Sequence, residues 1–118
     1  MLSSGPSKQT KIPPIVVPLI EMFEAYCDLD LLADIVDADL LPFSQLKKWF
    51  MKAKVIDMSR VTITDAFLCF FQFKKRAISY EEFLAYLEDL AEAKELNLKE
   101  IKHKLQTCGK PIAPRHNN

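Results

Sequence analysis

Apolar residues recur at helical spacing through most of this 118-residue chain. In residues 15–27 they fall three to four positions apart, and Pro18 is tolerated because it lies in the first turn of the expected helix. The predicted stripes are Val16, Ile20, Phe23 and Cys27; Leu46, Trp49, Phe50 and Ala53; Phe83, Leu84, Leu87 and Leu90; and Leu98, Ile101 and Leu105. Each stripe is one face of an amphipathic helix, so the sequence predicts an all-α fold.

Glycine is scarce, since the chain contains only Gly5 and Gly109. A glycine-rich loop that cradles phosphate is therefore absent, and a turn-rich β-sandwich is not expected. The hydroxyl residues Thr64 and Ser79 are interpreted as helix caps, and no His lies near either in the sequence. We therefore predict a protein that is not an enzyme and needs no cofactor.

Several residues mark where helices begin and end. Ser44 is expected to cap the helix of Trp49, and the run from Ser79 to Glu82 has the pattern of a capping box. The last helix, over about 96–107, is expected to end at Cys108-Gly109. The shorter expected elements are a helix over 30–37, a strand over Val61–Thr64, a buried helix over Asp65–Phe73 and an extended piece over Ala77–Ser79.

A short repeat connects two of these segments. Val61 to Asp65 and Ile78 to Glu82 each contain an aliphatic residue, then a hydroxyl residue, then an acid three positions later. In an EF-hand loop the aliphatic residue would be the eighth position and the acid the twelfth. The sequence therefore predicts an EF-hand-like helical domain, in which a degenerate pair of loops forms an antiparallel bridge between Val61 and Ile78.

Neither loop has the oxygen ligands that calcium requires at positions one, three and five. Counting back from the terminal acids, these positions hold Lys54, Ile56 and Met58 in one loop and Phe71, Phe73 and Lys75 in the other. A third candidate, Asp28–Asp39, lacks the Gly at position six and has Leu32 at position five. We therefore expect no bound metal.

The formal net charge of zero results from an uneven distribution. Residues 1–46 carry −5, residues 47–76 carry +6, and residues 77–118 carry −1. The basic middle third attracts anionic partners if its charges share a surface. Apart from Arg60, its cations lie on the polar side of the Trp49 helix and in the run before Ile78: Lys47, Lys48, Lys52, Lys54, Lys74, Lys75 and Arg76.

Composition indicates one domain in a reducing compartment. The three cysteines, Cys27, Cys69 and Cys108, are far apart and odd in number, which is typical of reduced thiols in the cytoplasm. No run is long and apolar enough to span a membrane, and the first residues lack the layout of a signal peptide. We expect a flexible tail over 1–12, a single domain over 13–108 and a second tail over 109–118.

Three segments in a fixed order resemble the family of the tubulin polymerization-promoting proteins. The first is Val55-Ile56-Asp57 followed by Val61–Asp65, and the second runs from Arg76 to Phe83 and on to Leu87–Ala91. The third is Cys108-Gly109-Lys110-Pro111. The resemblance covers residues 43–111, and it departs from the family pattern at Met58, where the family has Gly. The family's longer Gly/Thr-rich tail is also missing before Asn118, so the sequence is similar to a short or divergent member.

This resemblance implies association with tubulin or microtubules, in the cytoplasm and cytoskeleton, with the axoneme of a cilium or flagellum as one place of action. The cations of the middle third, together with Lys110, are the expected contact with the acidic surface of tubulin. The alternative is a degenerate EF-hand adaptor that binds a protein other than tubulin. We expect no nucleic-acid partner, because the aromatic residues follow core spacing, and no membrane partner.

His103 and Cys108 lie five positions apart and could contribute to a zinc site, but a set of four ligands with known spacing is missing. We interpret them as an exposed helical His and a small Cys near a helix end. Cys69 lies between aromatic and aliphatic residues and is expected to be a buried packing residue. Trp49 and Phe50 are likewise expected in the core.

Overall fold

The computed structural model describes residues 15–27 and 39–111. In chain order its elements are α1 (Leu19–Cys27), β1 (Leu41–Pro42), α2 (Phe43–Lys52), α3 (Ile63–Phe71), β2 (Ala77–Ile78), α4 (Tyr80–Ala93) and α5 (Leu98–Thr107). The described residues are mostly helical, as predicted. The tail over 1–12, the helix over 30–37, most of the calcium candidate Asp28–Asp39 and residues 112–118 of the C-terminal tail lie outside the described residues, and the domain limits stay predictions.

The two short strands pair antiparallel, with Leu41 opposite Ile78 and Pro42 opposite Ala77. The predicted bridge between Val61 and Ile78 is therefore wrong, and so is the strand over Val61–Thr64. Val61 is buried, but its carbonyl accepts the Met58 N–H in a tight turn at 2.9 Å. The next residue, Thr62, caps α3, and its N–H donates to the Asp65 carboxylate, so this N–H is not available to a ladder.

Helices α3 and α4 begin with the same reciprocal capping box. The Thr62 hydroxyl accepts the Asp65 N–H at 3.1 Å, and the Asp65 carboxylate accepts the Thr62 N–H at 2.9 Å. Ser79 and Glu82 repeat this arrangement at 3.2 and 2.9 Å. The capping box at Ser79 is confirmed, and the short sequence repeat is explained by two helix starts rather than by two paired loops.

Helix α2 begins without a side-chain cap, because Pro42 occupies the capping position. The expected cap at Ser44 is therefore wrong: Ser44 is already inside the first turn and is exposed. Proline is compatible with this place because it has no N–H to satisfy and its backbone is extended, with φ −77° and ψ 159°.

The core is rich in stacked aromatic rings. The Trp49 ring lies between those of Tyr26 and Phe83, with centroid separations of 4.9 and 5.1 Å and interplanar angles of 11° and 13°. This stack joins α1, α2 and α4. The buried residues of the predicted stripes are Phe23, Cys27, Leu46, Trp49, Phe50, Ala53, Phe83, Leu87, Leu90, Ile101 and Leu105.

Three predicted stripes contain residues that are not buried. Val16 and Ile20 are exposed, because α1 starts only at Leu19 and turns Leu19, Met22 and Tyr26 inwards instead. Leu84 and Leu98 are half-buried at the edge of the core.

Helix α5 is fixed to the core through side-chain hydrogen bonds as well as by burial. The Trp49 indole N–H donates to the Leu105 carbonyl at 3.2 Å, which satisfies one of the carbonyls in the last turn of α5. The side-chain amide of Gln106 donates to the Val17 carbonyl at 3.0 Å, and the Val17 N–H donates to the Gln106 carbonyl at 3.0 Å. Within the described ranges, no helix has both the length and the apolar character needed to cross a bilayer.

Candidate partner-binding surface

The predicted cations lie in two groups separated along α2. The first group, which we call the α2 cations, is Lys47, Lys48, Lys52 and Lys54. The second group, the β2-turn cations, is Lys74, Lys75 and Arg76, which precede β2. Because Ala77 pairs with Pro42, the β2-turn cations lie beside the start of α2, whereas Lys52 and Lys54 lie at its end. A helix rises 1.5 Å per residue, so about 14 Å separates these two ends.

Three of the eight predicted cations already have partners within the chain. Lys75 forms an ion pair with Glu82, and Lys110 forms one with Glu21 at 2.8 Å. Lys52 donates a hydrogen bond to the Lys110 carbonyl at 3.2 Å, which brings the end of α2 next to the end of α5. These partners reduce what Lys75 and Lys110 can offer to another molecule.

The other five predicted cations face no carboxylate in the part of the chain that the structure describes. In residues 15–27 and 39–111, none of Lys47, Lys48, Lys54, Lys74 and Arg76 has a carboxylate oxygen within 4 Å. All of them are exposed except Lys47, which is half-buried. Such charges are available to an anionic partner without breaking an internal ion pair.

The Lys75–Glu82 pair also bears on the calcium question. Counted from Ile78, Glu82 is the residue that would be the twelfth calcium ligand, and the Lys75 ammonium is bound to it. The hydrogen bond from Lys75, followed by that from the Ser79 N–H, lowers the pKa of Glu82. A protein cation therefore occupies the carboxylate that a metal would need. Among the described residues, no three His, Cys, Asp or Glu side chains are grouped to hold a metal ion.

The outward face of α3 is apolar, which the sequence interpretation missed. The segment Asp65–Phe73 was expected to be buried, yet Phe67, Leu68 and Phe71 are 45%, 57% and 59% exposed. The opposite face of α3 carries the buried residues Ala66, Cys69 and Phe70. The prediction of a buried Cys69 is confirmed. A helix that is apolar on both faces ordinarily indicates burial, so the sequence carried no signal for this exposed face.

The rings on this face are held in contact with each other. Phe67 packs edge-on against Phe43 of α2 at a centroid distance of 5.3 Å, and Phe71 lies 5.9 Å from Phe67 along the same helix. Phe43 in turn contacts the buried Phe70 at 5.3 Å. Phe67 is therefore connected to the core through Phe43, and Phe71 contacts Phe67.

The Val55-Ile56-Asp57 motif has a structural role. One carboxylate oxygen of Asp57 accepts the N–H groups of Ser59, Arg60 and Val61 at 2.8, 2.9 and 3.2 Å. These hydrogen bonds, led by those from Ser59 and Val61, lower the pKa of Asp57. The motif thus closes the turn between α2 and α3, and it presents no reactive group.

The candidate zinc residues are placed as an exposed helical His and a half-buried Cys. His103 is exposed on α5, whereas Cys108 is half-buried just after that helix. Burial raises the pKa of the Cys108 thiol, against the opposing effect of Lys52, so the thiol is not activated as a nucleophile.

A sequence model of the p25-alpha family matches residues 21–116. No curated protein and no solved structure matches the chain. The matched range includes all eight predicted cations and the three motif segments. The family is that of the tubulin polymerization-promoting proteins, which are tubulin-associated, cytoskeletal and generally not enzymes. The family model covers most of the length of the chain, so the chain belongs to the p25-alpha family.

Proposed function

We propose that this protein binds tubulin or microtubules without catalysing a reaction, and that it decorates or stabilises the polymer. Membership of a tubulin-associated family supports the choice of partner. The observation that carries the proposal is the set of cations that face no carboxylate in the described part of the chain. Tubulin's exposed surface is acidic, so these cations suit it, and such binding should weaken as salt increases.

The β2-turn and α2 cations have different weights in this proposal. Lys74 and Arg76 lie close in sequence and are both exposed, so they can meet one acidic patch. Lys48 and Lys54 are exposed nearer the other end of α2. Lys75, Lys52 and Lys110 contribute less, because each already has a partner within the chain.

We also propose that the two helix–strand–helix units, α1–β1–α2 and α3–β2–α4, are a degenerate EF-hand pair. The antiparallel pairing of Leu41 with Ile78 between the units supports this interpretation. The ion pair of Lys75 with Glu82 supports a loop that does not bind calcium, because the carboxylate is already paired. Binding to microtubules should therefore be the same with calcium and with a chelator.

The axoneme of a cilium or flagellum is a proposed place of action alongside the cytoplasmic cytoskeleton. The competing proposal is an adaptor that uses the same cations on a partner other than tubulin. Imaging of the tagged protein in ciliated cells separates an axonemal location from a general cytoskeletal one.

The central experiment is co-pelleting with stabilised microtubules at low and at high salt. The site variant is Lys74→Glu with Arg76→Glu, which leaves the Lys75–Glu82 pair intact. A second variant, Lys48→Glu with Lys54→Glu, tests the α2 cations. The matched control is Lys99→Glu with Lys104→Glu, which makes the same change in charge at two exposed positions of α5.

We expect the wild type and the α5 control to pellet at low salt, and the β2-turn variant to remain largely in the supernatant. Absence of wild-type pelleting at low salt would overturn the proposed function and favour the adaptor. Equal binding by the β2-turn variant and the α5 control would show that the β2-turn cations are not the contact, while the proposed function would still hold.

A further inference from the structure

We infer that the outward face of α3 is the apolar anchor of the tubulin contact, with Lys74 and Arg76 as its charged rim. We define the α3 surface as Phe67, Leu68, Phe71, Lys74 and Arg76. This inference rests on the proposed function and specifies its contact: an acidic protein surface that offers a hydrophobic depression to the α3 rings.

The apolar part of the α3 surface is more exposed than a helix face without a partner should be. Leu68 and Phe71 lie one and four positions after Phe67. All three side chains are about half exposed. Contiguous exposed apolar side chains rimmed by polar ones are typical of interaction sites. At protein interfaces a few well-packed side chains, often aromatic or Arg, carry most of the binding energy.

The charged part of the α3 surface directly adjoins the apolar part. The Lys74 N–H donates to the Phe71 carbonyl at 2.9 Å, so the backbone of Lys74 closes the end of α3. Lys74 adopts φ of 54°, a left-handed conformation that turns the chain away from the helix axis towards β2. Lys74 and Arg76 are exposed, and no carboxylate in the described residues lies within 4 Å of either.

The support beneath the rings favours binding. Phe67 is in edge contact with Phe43, and Phe43 is in contact with the buried Phe70. Side chains that are already held in place lose less conformational entropy when a partner covers them. The Phe67 side chain of the α3 surface is therefore already held in place before a partner binds.

Charge selects an acidic protein over the other possible occupants. A second copy meeting this surface across a two-fold axis would bring Lys74 and Arg76 of both copies into one interface with no acidic residue of the α3 surface to balance them, which is unfavourable. Anionic membranes are recognised by clusters of four to eight cations, whereas this surface has two. The inner face of α3 is also committed to the core, which limits how deeply the helix can enter a bilayer.

The test compares two parts of the α3 surface in the full chain. The apolar variant is Leu68→Ser with Phe71→Ser, which spares Phe67 and its contact with Phe43. The charge variant is Lys74→Glu with Arg76→Glu. The apolar control is Ile15→Ser with Val16→Ser, since these two side chains are 79% and 54% exposed elsewhere on the molecule. Circular dichroism and thermal unfolding check that each variant is folded.

We expect each α3-surface variant to weaken microtubule binding by about tenfold or more, and the apolar control to change it by less than about twofold. The two should differ in their response to salt. The apolar variant should keep the salt dependence of the wild type, and the charge variant should lose most of it.

Several results would overturn the inference. Wild-type affinity in a folded apolar variant would remove the anchor while leaving the proposed function intact. Loss of self-association in the apolar variant, measured by sedimentation velocity, would make a second copy the occupant. If the wild type binds anionic vesicles and both α3-surface variants abolish that binding, the occupant of the α3 surface is a membrane. Failure of the wild type to pellet would overturn the inference together with the proposed function.

Discussion

Met58 adopts φ of 63°, in the left-handed region of backbone conformation, within the turn closed by Asp57. A side chain with a Cβ is strained there, whereas glycine is not. The resemblance described under Sequence analysis places Gly at this position of the family pattern. The turn has the backbone conformation that glycine permits, although Met58 is less suited to it.

We predict that Met58→Gly stabilises the fold by about 0.5–1 kcal/mol, because relief of backbone strain exceeds the extra flexibility of glycine in the unfolded chain. The measurement is the free energy of unfolding in urea. Ser59→Gly is the control, since Ser59 has no positive φ, and it should destabilise by about 0.4–1 kcal/mol. Equal destabilisation by both changes would contradict the account of strain.

Other residues share this conformation, and none of them could be identified from sequence. Lys54, Lys74 and Glu95 have φ of 67°, 54° and 55°, and each follows a helix. The N–H groups of Val55 and Leu96 then donate to carbonyls five residues back, at 2.9 and 2.7 Å. The helix ends at Lys54 and Glu95 are of the Schellman type, which glycine usually marks. With glycine absent from them, the sequence carries no local signal for where these helices stop.

At the scale of the element, the capping box at Ser79 was predicted because its hydrogen bonds join residues only three apart. The box at Thr62 was missed, since the sequence was interpreted as a strand over Val61–Thr64 with a cap at Thr64. We predict that Thr62→Ala and Ser79→Ala each cost about 1 kcal/mol of stability. Thr64→Ala makes the same change as Thr62→Ala inside the first turn of α3, at an exposed position, and should be nearly neutral. Urea denaturation of the three variants measures the difference, and equal losses at positions 62 and 64 would refute the capping role.

Acid should destabilise the fold through the carboxylates at these turns and helix starts. The pKa of Glu82 is lowered chiefly by Lys75, that of Asp65 by the Thr62 N–H, and that of Asp57 by the Ser59 N–H. A carboxyl group with a lower pKa in the folded chain stabilises it when ionised. The stabilisation by these carboxylates is therefore complete at pH values above their unfolded pKa values of about 4. It is lost as the pH falls through their lowered pKa values in the folded chain.

We predict a urea midpoint that falls steeply below about pH 4. The double variant Asp65→Asn with Glu82→Gln should be less stable at neutral pH and should lose less on acidification. Glu88→Gln, at an exposed position of α4 without such hydrogen bonds in the described residues, should follow the wild type. A double variant as acid-sensitive as the wild type would assign the effect to other groups.

The pairing of elements was harder to predict than the elements themselves. Strand β1 is two residues long, ends in a proline and has no alternating pattern, so nothing local identifies Leu41 as the partner of Ile78. Val61 resembled a better partner because the capping box that follows it imitates the end of a binding loop. Pairing depends on which helices pack together, and that is a property of the whole chain.

At the scale of the molecule, α5 belongs to the core rather than to a tail. Leu105 is fully buried, and its carbonyl receives the Trp49 indole N–H. We predict that Leu105→Ala costs about 2–5 kcal/mol. The exposed neighbour Lys104→Ala should change stability by less than about 0.5 kcal/mol. Chemical denaturation followed by circular dichroism measures both, and a separate early transition for α5 would contradict its place in the core.

The candidate surface was only partly predictable at this scale. Sequence identified the cations, because charge patterns are local. It could not show that Lys75 and Lys110 are paired with Glu82 and Glu21, since these contacts depend on the folded chain. It also placed Phe67 and Phe71 in the core, because an aromatic side chain in the sequence gives no sign of which helix face will lack a neighbour.

The β1–β2 pair has a consequence for the order of events during folding. Leu41 and Ile78 are 37 positions apart, and α2 and α3 lie between them. Helical turns form from neighbouring residues within microseconds, whereas this ladder must wait until the intervening chain has closed. The conservative change Ile78→Val should therefore speed unfolding and leave the folding rate almost unchanged in stopped-flow measurements. The β1–β2 pairing is expected to be among the last contacts to form and the first to be lost.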